Sequence, residues 1–338
     1  MSNTATVLAF DFGASSGRAI RAVYDGQNLT YEEIHRFENV PIEKDGHLCW
    51  DVETLLKEIH TAIQKAGTFD SLGFDTWGVD FGLLDADGHL LANPVHYRDA
   101  RTNGKPEQAA ACMPAEELYA HTGNQIMAIN TLFQLLALQE QESELLQKAE
   151  QILFMPDLFA ALLGAEPVCE RSIASTSQML DPRTGQWSRE VLTAYGLKEN
   201  HFAPLVASGT VTGTLTTGAK IIAVAGHDTQ CASAAMPCAE EDVEHTAFLS
   251  CGTWSLLGTE LDAPILTADS CQSGLSNELG ANGKINYLKN IIGLWLIQES
   301  RREYKRRGQA YSFAELEQQA LAAEPLRSFI DPDAPEFV

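Results

Sequence analysis

The first stretch with residue types suited to chemistry is VLAFDFGASSGR, which covers residues 7–18. An apolar run leads to Asp11, and a short turn follows before a second apolar segment. Gly13 and Gly17 can take positive φ, so backbone N–H groups and serine hydroxyls can point at one spot that suits a phosphate. Arg18 adds a planar cation that pairs with phosphoryl oxygens. An ordinary hairpin with a Gly/Ser turn explains the same residues, so the phosphate interpretation needs partners elsewhere.

A second candidate is Asp228, in the stretch KIIAVAGHDTQCAS that begins at Lys220. A predicted buried strand ends at Gly226, and Asp228 follows as the chain enters a predicted helix. Polar groups at the carboxyl ends of strands in an open α/β sheet lie where ligands bind. Asp228 is therefore a candidate general base for a substrate hydroxyl. A helix N-cap is the alternative, because Asp is common and stabilising there.

A third stretch, TAFLSCGTWSLL at residues 246–257, repeats the pattern of the first. An apolar run leads into a short Ser/Gly/Thr turn and a second apolar run. Two such hairpins, one in each half of the chain, could hold a polyphosphate from both sides. A simple meander turn is the alternative for this stretch alone. Two glycine hairpins that flank an Asp at a strand end are better support for a phosphate site than one hairpin.

The elements that must position these residues alternate between strand and helix patterns. After the first hairpin we predict a strand over residues 29–37, an amphipathic helix after Asp51, a strand over 71–75 and a hairpin turn at Asp87-Gly88. This βββαβ order, continued by further alternation, indicates an α/β fold.

The later part of the chain carries weaker signals. Apolar periodicity predicts a helix that Asn130 caps and that runs to about Lys148. Residues 172–180 are rich in Ser and Thr, which suits a surface loop or a strand edge. A Gly/Thr-rich run over residues 209–218 breaks the pattern, and we predict a domain transition within about twenty-five residues after it. Two more helices are predicted over residues 293–306 and 313–323.

Composition excludes several classes of function. The 338 residues, enough for two domains, include 23 basic and 46 acidic side chains, and the net charge of −23 repels nucleic acid backbones and anionic membranes. The seven cysteines are scattered without a C-x-x-C pair, which indicates buried thiols in a reducing compartment. No apolar run of about 18 residues occurs. We therefore expect a cytoplasmic protein that binds neither nucleic acid nor membrane.

The common nucleotide-binding and zinc-binding motifs are absent from the sequence. Neither the Rossmann pattern G-x-G-x-x-G nor the P-loop pattern G-x-x-x-x-G-K-[ST] occurs. The nine histidines show no zinc-ligand spacing such as H-E-x-x-H. Any phosphate site must therefore be built in another way.

Several short strings, taken together, resemble the FGGY family of carbohydrate kinases. They are DFGASSGR from Asp11, DTWGVD from Asp75, YRD from Tyr97, MPD from Met155, GHDT from Gly226, SCGTW from Ser250, LKNI from Leu288 and GLWL from Gly293. The resemblance implies the actin-like ATPase (ribonuclease H-like) fold, an α/β fold. Residues 1–235 would form a complete first domain with the sugar site and the first phosphate loop. Residues 236–338 would form a partial second domain for the nucleotide.

Within the family, the strings DTWGVDF, HDT and GTWSL together are specific to members that act on L-rhamnulose. The resemblance thus implies transfer of the γ-phosphate of ATP to the 1-hydroxyl of L-rhamnulose, with Mg²⁺. The product would be L-rhamnulose 1-phosphate, in rhamnose catabolism. The expected partners are two small molecules, L-rhamnulose and ATP.

The resemblance also implies roles for single residues. Asp228 would be the catalytic base, and Asp11 would reach the metal through water. The residues expected at the sugar are Gly78, His227, Thr229 and Asn290. The residues expected at the nucleotide are Ala14, Ser15, Ser16, Gly17 and Arg18 in the first phosphate loop, together with Thr253 and Gln298.

Three residues of the DTWGVD string have competing interpretations. Trp77 is a candidate apolar wall for the methyl carbon of a deoxysugar, although large aromatic side chains more often fill a core. Asp75 and Asp80 are candidates for binding sugar hydroxyls or for capping strand ends. For Asp80 we favour the cap.

Members of the family run well beyond the length of this chain. The second domain of this chain offers too few predicted strands to close an actin-like sheet. An incomplete sheet would leave open edges and uncovered apolar faces. We therefore expect a truncated kinase that binds sugar but phosphorylates poorly or not at all. Two alternatives stay open: a sugar-binding or regulatory module, and a different actin-fold ATPase with a protein partner.

Overall fold

The structure is a computed structural model that describes residues 4–252, 254–332 and 334. The strands are β1 (Ala5–Phe12), β2 (Ser16–Tyr24), β3 (Leu29–Glu38), β4 (Ile42–Lys44), β5 (His47–Cys49), β6 (Ser71–Thr76), β7 (Phe81–Leu84), β8 (Gln151–Phe154), β9 (Cys169–Glu170), β10 (Leu180–Asp181), β11 (Gln186–Trp187), β12 (Leu205–Val206), β13 (Thr210–Thr214), β14 (Lys220–Ala223), β15 (Phe248–Cys251), β16 (Trp254–Leu261), β17 (Leu275–Leu279) and β18 (Ile285–Ile292). The α-helices are α1 (Val52–Ala66), α2 (Lys105–Ala109), α3 (Ala115–Thr122), α4 (Thr131–Gln141), α5 (Ser143–Lys148), α6 (Met155–Leu162), α7 (Arg171–Ala174), α8 (Arg189–Ala194), α9 (Asp228–Ala234), α10 (Ala268–Gln272), α11 (Trp295–Arg306) and α12 (Phe313–Ala322).

The larger sheet has the strand order β13-β14-β6-β1-β2-β3. β1 and β14 both pair with β6 in parallel, whereas β2, β3 and β13 join as antiparallel strands. Because parallel strands end at the same edge of a sheet, the loops after β1, β6 and β14 lie side by side. The predicted α/β architecture is confirmed, with a short β4–β5 hairpin that the sequence pattern missed.

Aromatic side chains connect this sheet to its helices. Phe10 and Phe12 alternate along β1 with polar or smaller residues, and both are fully buried. The Phe10 ring stacks on Phe74 of β6 with centroids 4.8 Å apart, and the Phe12 ring stacks on Phe159 of α6 at 4.9 Å. Burial of each such ring contributes roughly 2 kcal/mol, so this stack is a main source of the sheet's stability.

The helix predicted after Asp51 is α1, and its predicted cap is confirmed. The Asp51 carboxylate accepts the backbone N–H of Thr54 at 3.2 Å. Leu55 and Ile59 lie one turn apart and are buried. A capped, amphipathic helix therefore covers this part of the sheet, where it contacts β2 and β3.

The smaller sheet has the order β15-β16-β18-β17, with every pairing antiparallel. Its strand β17 docks on the first part of the chain. The Leu279 N–H donates to Ser175 Oγ at 2.9 Å, and the Gln125 N–H donates to Ser276 Oγ at 2.9 Å. The side chain of Ile285 joins the main hydrophobic core. The two sheets thus share one continuous interface.

The two helices predicted near the end are confirmed as α11 and α12, within two residues at each boundary. Large apolar side chains on and around them are exposed, among them Ile297, Phe313 and Leu321. No helix in the described ranges combines the length and the apolar composition that crossing a bilayer requires.

Two predictions of local structure were wrong in part. The helix after Asn130 ends at Gln141, because Glu142 leaves helical geometry with φ −138° and ψ 44°, and α5 then begins. Asn130 occupies the cap position, but its side chain makes no capping bond. It donates instead to the carbonyl of Gln125 at 2.9 Å and to Gln178 Oε1 at 2.7 Å. Tertiary partners therefore outcompeted the local cap.

Residues 172–180 are not a surface loop, because every one of them is buried. Their hydroxyls are satisfied inside the protein. Ser172 Oγ donates to Glu170 Oε2 at 2.5 Å, and Thr176 Oγ1 donates to the carbonyl of Ile173 at 2.8 Å. Buried Ser and Thr cost little when each hydroxyl finds a partner, which composition alone does not indicate.

Gly17 is required for a different reason from the predicted one. Neither Gly13 nor Gly17 has a positive φ. Gly17 lies in β2 opposite Phe12, and a Cβ built on it would be 2.2 Å from the ring of Phe37. The ring of Phe37 on β3 therefore occupies the space that a side chain would need.

We expect Gly17→Ala to lower the free energy of unfolding by about 1–3 kcal/mol, because the added methyl overpacks the Phe37 ring. Urea denaturation measures the change. The matched control is Gly17→Ala combined with Phe37→Leu, in which the two losses should be less than additive. A loss below about 0.5 kcal/mol in the single variant would show that the ring moves aside freely.

Candidate active site

A cavity of about 300 Å³ lies between the loop edge of the larger sheet and the smaller sheet. Its lining comes from the loops after β1, β6 and β14 on one side and from β15 to β18 on the other, and residues within 124–130, Tyr97 and Thr176 complete it. The arrangement of parallel strand ends thus opens directly on this space. Ligands usually bind at this edge of an α/β sheet.

Most of the predicted site residues meet in this cavity. Those that line it are Ala14, Ser15, Gly78, His227, Asp228, Thr229 and Asn290. Ser16, Gly17, Arg18, Asp11 and Gln298 are not among its lining residues. Thr253 lies outside the described residues. The residues predicted for the sugar and for the base therefore converge, whereas only the first part of the predicted phosphate loop reaches the cavity.

The predicted phosphate loop is held by a residue that sequence reasoning missed. Asn39, which is buried, donates from Nδ2 to the Gly13 carbonyl at 3.0 Å, and its N–H donates to the Ser15 carbonyl at 3.1 Å. The Gly13 N–H closes the turn by donating to the Ser16 carbonyl at 2.9 Å. These bonds hold the loop in one shape beside the cavity.

Arg18 pairs with Asp11 and does not reach the cavity. Its Nε lies 2.8 Å from Asp11 Oδ2, and the two residues face each other on β2 and β1. The side chains are 44% and 31% exposed, so the pair adds little to stability. Arg18 therefore orients the Asp11 carboxylate at the end of β1.

The loop that carries His227 and Asp228 is held by its backbone. The Thr76 N–H donates to the Gly226 carbonyl at 2.9 Å, and the Gly226 N–H donates to Glu170 Oε2 at 3.1 Å. Glu170 is buried and was not singled out from the sequence. The hydrogen bonds with β6 and Glu170 thus fix the position of this loop at the edge of the sheet.

Asp228 is the first residue of α9, and the cap position belongs to His227. The N-cap alternative for Asp228 is therefore wrong. Its carboxylate accepts the N–H of Thr229 at 2.6 Å and remains 42% exposed. Partial burial beside the cavity raises the pKa of Asp228, and the nearby His227 opposes this rise. The group retains an oxygen surface that can meet a ligand.

His227 lies between two carboxylates. Its Nδ1 is 2.9 Å from Glu278 Oε2, and its Nε2 is 3.5 Å from Asp228 Oδ1. Burial alone would lower the pKa of His227, but the Glu278 carboxylate and its hydrogen bond raise it to about 9. The ring is therefore an imidazolium at neutral pH.

Asp80 does not cap a strand end, contrary to the favoured prediction. It is buried, and its carboxylate accepts Trp50 Nε1 at 2.6 Å, Trp77 Nε1 at 3.0 Å and Gln134 Nε2 at 2.8 Å. Burial raises the pKa of Asp80 to about 6, although these hydrogen bonds oppose the rise. Trp77 lines the cavity, whereas Asp75 and Asp80 do not. Asp80 therefore acts on the cavity by fixing the Trp77 indole.

Residues from both parts of the chain also meet around Arg98, which lies in a turn of the first part. Its guanidinium carbon lies 5.4 Å from the Tyr97 ring centroid, 5.5 Å from that of Trp254 and 4.3 Å from that of Trp295. Cation–π contacts of this kind contribute roughly 0.5–2 kcal/mol each. Tyr97 and Trp254 line the cavity, so Arg98 ties together two of its walls.

Comparison with sequence families gives two matches. Residues 6–234 match the FGGY family of carbohydrate kinases, N-terminal domain, and residues 247–338 match its C-terminal domain. The rhamnulokinase of Bacteroides thetaiotaomicron is 41% identical over 96% of this chain and 68% of its own length. The rhamnulokinase of Enterococcus faecalis is 39% identical over 98% of this chain and 68% of its own length.

Solved structures share the fold at low sequence identity. The ligand-bound xylulose kinase from Lactobacillus acidophilus superposes with a TM-score of 0.75 and 16% identity, over 94% of this chain and 66% of that one. A gluconate kinase from the same organism gives 0.72 and 17%, over 88% and 62%. The chain therefore spans about two thirds of the length of the proteins that it matches.

We expect Asp80→Ala to lower the free energy of unfolding by about 3 kcal/mol, because two indole N–H groups and one amide lose their buried acceptor. Thermal or urea denaturation measures the loss. Asp87→Ala, on an exposed turn, is the control and should change stability by less than about 0.5 kcal/mol. Equal stability of the two variants would contradict a supporting role for Asp80.

Proposed function

Since the chain belongs to the FGGY family of carbohydrate kinases, we propose that it transfers the γ-phosphate of ATP to the 1-hydroxyl of L-rhamnulose. The fold is the actin-like ATPase fold of that family. The observation that carries the proposal is one cavity in which Asp228 lies with the Ala14–Ser15 loop on one side and Asn290 on the other. The relatives named rhamnulokinase support the choice of sugar.

Asp228 is the proposed general base. A base of this kind must lie within hydrogen-bond reach of the hydroxyl that it deprotonates, and the exposed part of the Asp228 carboxylate borders the cavity. Phosphoryl transfer depends mainly on in-line placement and on neutralisation of charge. The role of Asp228 therefore rests on its position rather than on an unusual pKa.

The proposed nucleotide contacts centre on the first turn. Backbone N–H groups of Ala14 and Ser15 would bind phosphate oxygens at the edge of the cavity. Ser16, Gly17 and Arg18 follow in β2 and would support the turn. Two more proposed nucleotide residues are Thr253 and Gln298. ATP is the co-substrate of sugar kinases of this family.

Mg²⁺ fits the acidic residues beside the cavity. Asp11 and Asp75 are direct neighbours on β1 and β6. Burial, and then the carboxylates of Asp11 and Asp228, raise the pKa of Asp75 well above its usual value. Carboxylates this close favour a counter-cation, and their oxygens are ligands that Mg²⁺ prefers. We propose that Asp11 holds Mg²⁺ through water; the bound ion would neutralise charge on the phosphates.

The proposed sugar site combines polar groups with one apolar wall. Gly78, His227, Thr229 and Asn290 would meet the hydroxyls, and the Trp77 ring would face the methyl carbon. A Cβ at Gly78 would lie 3.3 Å from the Thr176 side chain, so glycine keeps the proposed sugar loop close to the turn that follows α7. Polar groups matched to hydroxyls reject sugars that lack them.

The remaining proposals concern organisation and location. We propose that residues 1–235 and 236–338 form the two domains of the kinase. The net charge of −23 supports small-molecule partners and no nucleic acid or membrane partner. The cysteines of the described residues are all free, which supports a reducing, cytoplasmic location, but the prediction that they are buried is wrong for all except Cys49 and Cys169.

The test is an assay of ADP release by the purified chain with ATP, Mg²⁺ and L-rhamnulose. Steady release that requires the sugar supports the kinase proposal and contradicts the expectation that this chain phosphorylates poorly or not at all. Release without sugar would favour a different actin-fold ATPase. Calorimetry that shows sugar binding with no response to an ATP analogue would favour a sugar-binding module instead.

We expect Asp228→Asn to lower kcat by about 10²–10⁴-fold, because the amide cannot accept the proton of the sugar hydroxyl. Sugar affinity, measured by calorimetry, should change by less than about threefold, since the amide keeps the size and an acceptor. Asp87→Asn on the exposed turn is the control. An Asp228→Asn variant with parental kcat would rule out Asp228 as the base.

We expect Asn290→Ala to weaken L-rhamnulose binding about tenfold, because one neutral hydrogen bond to a hydroxyl is lost. Asn290 Nδ2 also lies 3.4 Å from Gln125 Oε1, so the amide is oriented within the cavity wall. Calorimetry compares it with Asn282→Ala on an exposed turn. Equal affinities in the two variants would remove Asn290 from the sugar site.

A further inference from the structure

Glu278 is a buried carboxylate in the wall of the cavity, and the reaction outlined above does not use it. It lies on β17 in the smaller sheet, and only 4% of its surface is exposed. Its Oε2 accepts from two groups of the α9 region, His227 Nδ1 at 2.9 Å and Gln230 Nε2 at 2.8 Å. Glu278 therefore connects the smaller sheet to the loop that carries the proposed base.

The orientation of His227 follows from this contact. An imidazole that donates from Nδ1 to Glu278 turns Nε2 to the opposite side, and Nε2 lies 3.5 Å from Asp228 Oδ1. A neutral ring has only one N–H, whereas the imidazolium has two and can serve both carboxylates. His227, Asp228 and Glu278 all line the cavity, so a ligand there would contact this row of groups.

The groups around His227 offer no other carboxylate to its Nδ1 among the described residues. Gln230, which donates to Glu278, also accepts from Asn286 on β18. If the Glu278 charge is removed, His227 loses the largest influence that favours its protonated form and the carboxylate that orients its Nδ1.

We propose that Glu278 is a positioning residue: from the smaller sheet it fixes the His227 imidazole so that Nε2–H faces the Asp228 carboxylate and the sugar. The proposal rests on the proposed function, because the sugar is the ligand that His227 would meet. It assigns to Glu278 no contact with the reacting atoms.

The pH dependence of the site follows from the charges around His227. Glu278 of β17, Asp228 of α9 and Asp75 of β6 face the ring, and Glu278 is the largest favourable influence on its charge. With Glu278 present, the ring should stay charged until the pH passes about 9. Without it, burial lowers the pKa of His227 and only Asp228 and Asp75 raise it, so the ring should lose its proton near or below the usual value of about 6.5.

The experiment compares the parent with Glu278→Gln, which keeps the shape and removes the charge. NMR follows the ring signals of His227, assigned with His227→Asn, from about pH 5 to 10. We expect the midpoint to fall from about 9 toward the ordinary value. Calorimetry at a pH of about 8 should show that L-rhamnulose affinity falls roughly 30-fold. This is the ratio of the protonated fractions of His227 for midpoints of about 9 and about 6.5. At a pH of about 5.5 the affinities should agree within about threefold.

The matched control is Asn277→Ala, next to Glu278 on β17. Successive strand residues point to opposite faces, and Asn277 donates to the carbonyls of Gly123 and Ile265 instead. This variant should lose stability, yet the His227 midpoint and the pH dependence of affinity should stay parental. A purely structural role of Glu278 would make the two variants alike.

The outcomes separate the two proposals. A parental His227 midpoint near 6.5, or an unchanged midpoint and pH dependence in Glu278→Gln, would overturn the role of Glu278. If the parent binds no L-rhamnulose while the midpoint still shifts in Glu278→Gln, the proposed sugar fails and the hold of Glu278 on His227 is supported.

Discussion

The parallel pairing of β1, β6 and β14 is the constraint on which the site depends. It brings three loops to one edge, and the hydrogen bond from the Thr76 N–H to the Gly226 carbonyl, 2.9 Å long, extends the pairing beyond the strands. The predicted phosphate turn, the DTWGVD loop and the HDT loop therefore lie side by side at the same edge of the sheet. Each side chain in the cavity inherits its position from this backbone arrangement, which aromatic stacking beneath the strands stabilises.

The smaller sheet turns an open edge into a cavity. β17 docks through buried hydrogen bonds, and the guanidinium of Arg98 packs against Trp254 and Trp295 from the second part of the chain. Hydrogen bonds and cation–π contacts need defined distances between their partners, so together they define one relative placement of the two sheets. A cavity between two sheets also gives a sugar kinase a place where water can be excluded around the transferred phosphate.

Charge is unevenly distributed around this cavity. Asp11, Asp75 and Asp228 lie at one edge. Burial is the largest cause of the raised pKa of Asp75, and repulsion from Asp11 and Asp228 raises it further. The imidazolium of His227 offsets part of this negative charge on the side of the proposed sugar site, and Glu278 is the largest influence that raises the pKa of His227. On the other side, a cation bound near Asp11 would offset the rest. These carboxylates repel one another in the free protein, and a ligand that carries a metal ion would reduce this repulsion.

The sequence by itself determined the local elements and the residue types of the site. Strand alternation, helical period and caps act within a few residues, so the first hairpin, the Asp51 cap of α1 and the place of Asp228 after a strand were predictable. Only the tertiary structure decided the roles of Gly17, Asp80 and Glu278. Asp80 meets Gln134 across 54 positions, and Glu278 meets His227 across 51. No short-range pattern records which distant donor a buried carboxylate will find, because packing of the whole chain selects that partner.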